Sequence, residues 1–269
     1  MQPAIGTGPY ALLDFPDHSN VGDSAIWLGE LRFLQAVTGR APSYVCRFDY
    51  CDWNWLGQFD GTILLHGGGN FGDIYERHQL FREEVLARFP ERRVVQLPQT
   101  LHFKDPAGLE RTARVIANHK DFSLFVRDER SLAIARQFDC RVAMAPDLAF
   151  FLDLKRIGKP RHAGLYLRRT DEEQVAETAA PSAPGWVTAD WLDEPADFHR
   201  ATRMRVMIEG ALAGRTDRAL LRERLYRRLA EGRVRRGVRL LSSAREVVTD
   251  RLHAHILCTL MGVPHAVAD

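Results

Sequence analysis

Cysteine and lysine are scarce in this sequence. The four cysteines among its 269 residues, Cys46, Cys51, Cys140 and Cys258, show no CxxC spacing and nothing like the density of a disulfide scaffold. They read as reduced, mostly packed thiols of a cytosolic protein. Lys104, Lys120, Lys155 and Lys159 are the only lysines among 37 basic residues, so almost all positive charge is arginine. No apolar run approaches the roughly 18 residues that a membrane-spanning helix needs. The opening MQPAIGTGPYALLDF lacks the basic start and long apolar stretch of a secretory signal. No repeat of solenoid period is present. The dinucleotide GxGxxG and the P-loop GKS/GKT ending are missing, and no compact His/Cys/Asp cluster demands a metal. With a pI of only about 8.4 and no aromatic–basic recognition motif, a nucleic-acid partner is not expected.

What is present is an apolar content of 45% and a near-balanced charge of +2, enough for two ordinary domains with cores. The charge is unevenly spread. Residues 1–155 carry 17 basic against 20 acidic side chains, and residues 156–269 carry 20 against 15. An arginine-rich half suits a planar or tetrahedral anion, because guanidinium forks bind carboxylates and phosphates bidentately. Solvated surface is the simpler account of most of these arginines. The sign changes at DLKRIGKP, Asp153–Pro160, which gives an N-terminal domain over 1–155 and a C-terminal domain over 156–269.

Short apolar runs alternate with amphipathic ones. Strands are expected at Tyr10–Leu13, Thr62–His66, Val94–Leu97, Phe122–Val126, Val142–Ala145, Ala163–Leu167, Val238–Leu241, Val247–Thr249 and His265–Ala268. Helices are expected at Ser24–Val37, Arg77–Phe89, Leu109–Asn118, Glu129–Phe138, Asp197–Ala213, Asp217–Glu231 and Arg251–Met261. This alternation predicts βαβ units, hence an α/β fold with mainly parallel sheets and helices on both faces. Thr178–Pro195 reads as a loop whose Trp186 and Trp191 either pack inward, the favoured reading, or form part of an acceptor-binding surface. The arginine-rich segment Arg215–Arg236 reads as a helix with leucines on the sheet and arginines in water, although it could also approach an anionic membrane carrying a lipid-linked acceptor.

In an open α/β sheet, ligands bind beyond the carboxyl ends of strands, and several such loops carry polar residues. In DFPDHSNVGDSAI, Asp23 or Ser24 can cap the helix that follows; Asn20 and Asp23 are equally suited to hold sugar hydroxyls. In HGGGNFGD, Gly67, Gly68 and Gly69 allow close backbone approach and an anion-binding concavity, with Asn70 beside them and His66 and Asp73 as candidate acid–base groups. In QLPQT, Gln99 and Thr100 could hydrogen-bond an acceptor. Asp128 is expected to cap a helix and Asp147 to end a strand. In the basic half, Arg168 and Arg169 end a strand, and TDRLHAHI places Asp250 as a cap before a helix that opens with Arg251 and His253. Free N–H groups and the helix dipole make that start an anion site. The helix field also favours neutral imidazole, so His253 could exchange a proton near neutrality. Basic residues in that first turn oppose the dipole and call for a compensating partner, for which an anionic ligand is the simplest choice.

Taken in order, NVGDSAI, LHGGGNFGD, QLPQT, RDERS, APDLAF, YLRRTDEE and TDRLHAHILCTLMGVP resemble the polysaccharide pyruvyl transferases over about Leu13 to Ala268. The short motifs are weakly specific singly; the ordered set, and TDRLHAHI above all, is specific. The resemblance implies two Rossmann-like domains facing across a cleft, a GT-B-like arrangement, with phosphoenolpyruvate as donor, a saccharide or lipid-linked saccharide as acceptor, and no further cofactor. It implies that Arg169, Arg251, Leu252 and His253 bind the donor, with Arg168 as an alternative to Arg169. His253 is then the expected phosphate ligand and general acid, and Asp23 the base on the acceptor hydroxyl. Apart from the resemblance, a cytoplasmic location, peripheral membrane association and homo-oligomerisation are further expectations. The family continues past the VPHAVAD strand with another loop and a terminal helix, whereas this sequence stops at Asp269. A nucleotide-sugar glycosyltransferase of the same architecture and a non-catalytic sugar-binding subunit are the alternatives.

Overall fold

The computed structural model describes residues 1–170, 183–214 and 217–268. Parts of three expectations therefore lie outside the described residues: Asp171–Glu173 of YLRRTDEE, Thr178–Ser182 of the expected loop, and Arg215–Thr216 of the basic helix.

In chain order the elements are α1 (Gln2–Ile5), β1 (Tyr10–Leu13), α2 (Val21–Thr38), β2 (Tyr44–Val45), α3 (Trp53–Gln58), β3 (Thr62–Leu65), β4 (Gly68–Gly72), α4 (Glu76–Arg88), β5 (Val94–His102), α5 (Pro106–Ala117), β6 (Phe122–Val126), α6 (Glu129–Ala135) and β7 (Arg141–Met144). There follow a 3-10 turn (Leu148–Phe151), β8 (His162–Leu167), β9 (Trp186–Ala189), α7 (Phe198–Leu212), α8 (Arg218–Ser242), β10 (Ala244–Thr249), α9 (Leu252–Met261) and β11 (His265–Val267). Every strand pairing between these elements is parallel. The fold is thus mixed α/β with mainly parallel sheets, as the alternation of apolar runs predicts.

The chain forms two compact units. The first comprises Met1–Pro16, Glu30–Leu148 and Asp217–Glu223; the second comprises Asp17–Gly29, Ala149–Thr216 and Arg224–Asp269. The segment holding Asn20 and Asp23 therefore groups with the C-terminal residues.

The first unit's sheet runs β2-β1-β3-β5-β6-β7, with β4 alongside β5. Its inner strands Tyr10–Leu13, Thr62–Leu65 and Phe122–Val126 are buried throughout, which explains their largely apolar sequences, whereas the edge strand β7 is mostly exposed. Leu13, Ile63, Val94 and Leu124 join Phe81, Val85 and Ile116 of the covering helices in one core. The chain leaves β1 toward β2 and returns on the other side at β3, so the order reverses between β1 and β3.

The second unit's sheet runs β11-β10-β8-β9. Leu165, Leu167 and Val247 pack with Val234, Val238 and Leu241 of α8 and with Ala254 and Leu257 of α9. Here the order reverses between β8 and β10. Such switch points open a crevice at the carboxyl ends of the flanking strands.

Several local expectations need correction. Val238–Leu241 is helical, inside α8, because Tyr226, Leu229, Val234, Val238 and Leu241 continue one buried face to Ser242. Arg233 on that helix is buried rather than solvated, held by Glu194 at 2.8 and 3.1 Å and by Asp17 at 3.1 Å. The glycine run is strand β4 rather than a loop, paired to the far half of β5. Trp186–Ala189 of the expected loop is strand β9, while the expected inward packing holds, with the Trp186 ring against Gly164 and Trp191 buried. Among the described residues no helix is long and apolar enough to cross a membrane.

Candidate functional site

Both switch points carry polar and charged side chains. In the second unit, Arg168 and Arg169 follow β8, and Asp250, Arg251, Leu252 and His253 follow β10. Asp250 does not cap α9. Its carboxylate instead accepts the backbone N–H of Arg169 at 2.9 and 3.1 Å, tying the two strand ends together. The cap position belongs to Arg251, whose side chain makes no capping bond. The first-turn N–H groups of α9 are therefore not engaged by a cap side chain, the arrangement that suits an anion.

Arg251 is 3% exposed. Its Nε and Nη2 donate to the two carboxylate oxygens of Asp190 at 2.9 and 2.8 Å, and its guanidinium lies 5.8 Å from the centre of the Trp191 ring. The compensating partner of this arginine is thus a protein carboxylate. Asp190 follows β9 directly and also accepts from Thr170 at 2.7 Å. Leu252 is exposed and His253 half-buried.

The start of α2 belongs to this same unit. Asn20 caps it, Oδ1 accepting from Gly22 N at 3.0 Å, while its Nδ2 donates to Asp23 at 2.8 Å. The capping role expected of Asp23 or Ser24 falls to Asn20, and the helix begins at Val21. His18 lies 3.6 Å from Asp23. The His253 ring packs on Gly22, where an added β-carbon would meet Nδ1 at 2.5 Å. The structure therefore brings Asn20, Asp23 and His253 into one unit with Arg168, Arg169 and Arg251. Behind them Glu194 receives Arg233 and Arg236. Burial would raise the Glu194 carboxyl, but the hydrogen bonds and charges of both arginines hold it below its ordinary value.

In the first unit, the ends of β1 and β3 carry Asp14 and His66. His66 is buried, its Nδ1 2.8 Å from Glu30, whose other oxygen accepts Gly67 N at 2.7 Å. Burial pushes the Glu30 carboxyl up against the opposing pull of His66 and the Gly67 N–H. Gln96 and Gln99 both donate to the His66 carbonyl, at 2.8 and 3.0 Å. Asn70 accepts from Gln99 at 2.8 Å and from Arg82 at 2.9 Å. A β-carbon on Gly67 would lie 2.6 Å from the Pro98 carbonyl oxygen, so glycine there permits β3 and β5 to close up. Gly68 and Gly69 lie in the strand itself, and Gly69 would meet Arg127 at 3.4 Å. Asp73 anchors the turn before α5: it accepts Lys104 N and Asp105 N, and against the cost of burial these bonds hold its carboxyl below the usual range. Asp128 caps α6 through Ser131 N at 2.7 Å, as expected, and Asp147 is buried against Arg127.

The sequence reading passed over Asp190, Glu30, Glu194 and the pair Asp14–His78. A carboxylate directly after a strand was the available signal for Asp190, but that strand lies in a stretch without apolar alternation. Among the described residues no group of three or more His, Cys, Asp or Glu side chains could hold a metal ion.

Comparison with known proteins places these features in context. The sequence profile of the family described as polysaccharide pyruvyl transferase matches residues 20–269. The chain is 31% identical to Pyruvyl transferase 1 of Schizosaccharomyces pombe, across 98% of this chain and 67% of that protein. It is 27% identical to EpsO of Bacillus subtilis, across 95% of this chain and 80% of EpsO. A crystal structure of a functionally uncharacterised protein from Klebsiella pneumoniae shares the fold, with a TM-score of 0.57 at 18% identity over 99% of this chain and 85% of that one.

Proposed function

The chain belongs to the polysaccharide pyruvyl transferase family, and on that premise we propose that it moves the pyruvyl group of phosphoenolpyruvate onto two hydroxyls of a saccharide. The product is a pyruvate ketal in an exopolysaccharide or another cell-surface glycan. One observation carries the donor assignment: at the β8/β10 switch point, the uncapped start of α9 stands at a strand end that Asp250 ties to Arg169.

Phosphoenolpyruvate carries a carboxylate and a phosphate, and its transfer needs positive charge at both throughout. Because Asp190 neutralises Arg251, the N–H groups of α9 and the guanidinium groups of Arg168 and Arg169 supply the net positive field, with Arg251 fixing the helix start. Leu252, exposed on the first turn, contacts the apolar methylene. His253 binds the phosphate and delivers the proton to that methylene carbon as general acid. Asp23, on the helix start that packs on His253, takes the proton of the first acceptor hydroxyl as its oxygen adds to the neighbouring carbon. His66, Asn70 and Gln99 belong to the acceptor side, where they hold the framework that sugar hydroxyls meet. Phosphoenolpyruvate is a co-substrate, and no resident cofactor enters these steps.

Calorimetry with phosphoenolpyruvate tests the donor site. Arg169→Ala and His253→Ala weaken binding at least about tenfold on this reading, as expected when a charge-assisted bond is lost. Unchanged affinity in both contradicts it.

A further inference from the structure

Helix α7 of the second unit turns an apolar face to solvent. We propose that this face docks on an anionic membrane surface, its methionine, isoleucine and leucine side chains entering the headgroup region while the neighbouring arginines meet lipid phosphates. Docking of this kind needs neither donor nor acceptor, and so stands apart from the pyruvyl-transfer reading.

The side of α7 that faces the protein is narrow. Val206 and Gly210 are its buried residues. Phe198, its first residue, is seated on α8: a β-carbon on Gly232 would lie 2.5 Å from the tip of that ring, so glycine lets the two helices approach there. The Arg233 guanidinium lies 5.9 Å from the centre of the same ring. The helix is therefore held along one side and open along the other.

The open side is apolar. Met204, Met207, Ile208 and Leu212 are 60, 54, 53 and 85% exposed. At 3.6 residues per turn, their spacing of i, i+3, i+4 and i+8 puts them on one face. Ala201 and Ala211 are exposed on that face as well and add no polar group. A continuous apolar stripe left in water marks an interaction surface.

The charges around the stripe select its partner. Arg203 and Arg205 border it on either side, and Arg200 stands at its N-terminal end, all three exposed. None of them has a carboxylate partner among the described residues. A cleft between α7 and α8 adds Arg228, Arg235 and Arg239, with Arg205 on its rim. The carboxylates here are Asp197, Glu209 and Glu231. Arg228 takes up the last two, at 3.7 and 3.5 Å. Apolar side chains flanked by arginine form the pattern of a helix that lies in a membrane interface, where each arginine stem follows the apolar side chains while its head stays with the phosphates. Docking on a second copy by the same face would instead set these arginines against their like.

The sequence pointed to the basic helix that became α8 as the one to approach a membrane. Its apolar residues Leu229, Val234 and Val238 are buried, and Arg233 is held by Asp17 and Glu194, so that face is not free to do so. Helix α7 lies on a bilayer rather than across it, since no helix among the described residues is long and apolar enough to span one.

Vesicle flotation of the full chain provides the test, with phosphatidylcholine alone and with equal parts of phosphatidylcholine and phosphatidylglycerol. The expected result is that the wild type floats with the anionic vesicles and not with phosphatidylcholine, and that added salt weakens the binding. Met204→Ser with Ile208→Ser weakens it at least about tenfold through lost apolar burial. Arg203→Glu with Arg205→Glu weakens it at least about tenfold through charge reversal. These side chains are exposed, thermal unfolding confirms that each variant folds, and either pair of substitutions decides if the other unfolds. Wild-type chain that stays off the anionic vesicles overturns the proposal. Undiminished binding in the folded Met204→Ser, Ile208→Ser variant also overturns it, because net charge alone then accounts for the binding. A dimer seen by light scattering and dissolved by those two substitutions overturns it too, the stripe being covered by a second copy.

Discussion

The imidazole of His253 stands against the backbone of Gly22: an added β-carbon would lie 2.5 Å from Nδ1, 2.7 Å from Cγ and 2.9 Å from Cβ of that histidine. The first turns of α2 and α9 thus meet within one compact unit, and glycine is what lets them do so. Two stretches of chain some 230 positions apart, NVGDS and TDRLH, form one local structure.

Gly22→Ala tests this contact. The clash reaches the root of the imidazole, so the ring cannot swing aside cheaply and α9 must shift. Overpacking of this kind costs about 1–3 kcal/mol. The expected outcome is a lowered melting temperature together with weaker phosphoenolpyruvate binding, read by calorimetry on the folded variant.

The pair Arg251–Asp190 gives a second prediction. Removing one partner of a buried ion pair leaves the other uncompensated, at a cost of about 3–5 kcal/mol. Asp190→Ala is therefore expected to destabilise at least as much as Arg251→Ala in urea unfolding, and the double variant to cost less than the two single losses together. Strict additivity would show that the pair does not act as a unit.

Glu194 gives a pH dependence. Its folded pKa is depressed by Arg233 and Arg236 despite burial. A depressed carboxylate contributes stability above its unfolded pKa, about 4.3, and loses it as pH falls through the folded value. Glu194→Gln should therefore cost about 1.5–3 kcal/mol at neutral pH. Its melting temperature should converge on that of the wild type as pH falls from about 5 to about 2. A gap that persists at the acid end contradicts the ion-pair origin.

How far the sequence foretold this structure depends on the range of the interactions concerned. Tyr10–Leu13 and Phe122–Val126 match their strands residue for residue, because buried parallel strands are written as local apolar runs. Asp128 was legible as a cap for the same reason: its partner, Ser131, is three residues away. Gly68–Gly72 was not legible as a strand, since its partner β5 lies some 30 residues downstream and glycines carry no β signal of their own. Val238–Leu241 looked like a strand in a short window; only the full helical face from Tyr226 onward reveals α8. In the site, the helix start after Thr249 was readable from a strand-to-helix switch, whereas the carboxylate that pairs with Arg251 is Asp190, 61 positions away. Likewise Asp14 and His78 stand 64 positions apart, and neither loop contains both.

The central claim is pyruvyl transfer, and the most direct measurement is phosphate release from phosphoenolpyruvate with and without saccharide, with the glycan followed by mass spectrometry. The account predicts release that depends on the saccharide, one phosphate for each pyruvate ketal formed, and loss of both in Arg169→Ala. Saccharide-independent release, or a glycan modified only when a nucleotide sugar is supplied, would contradict it.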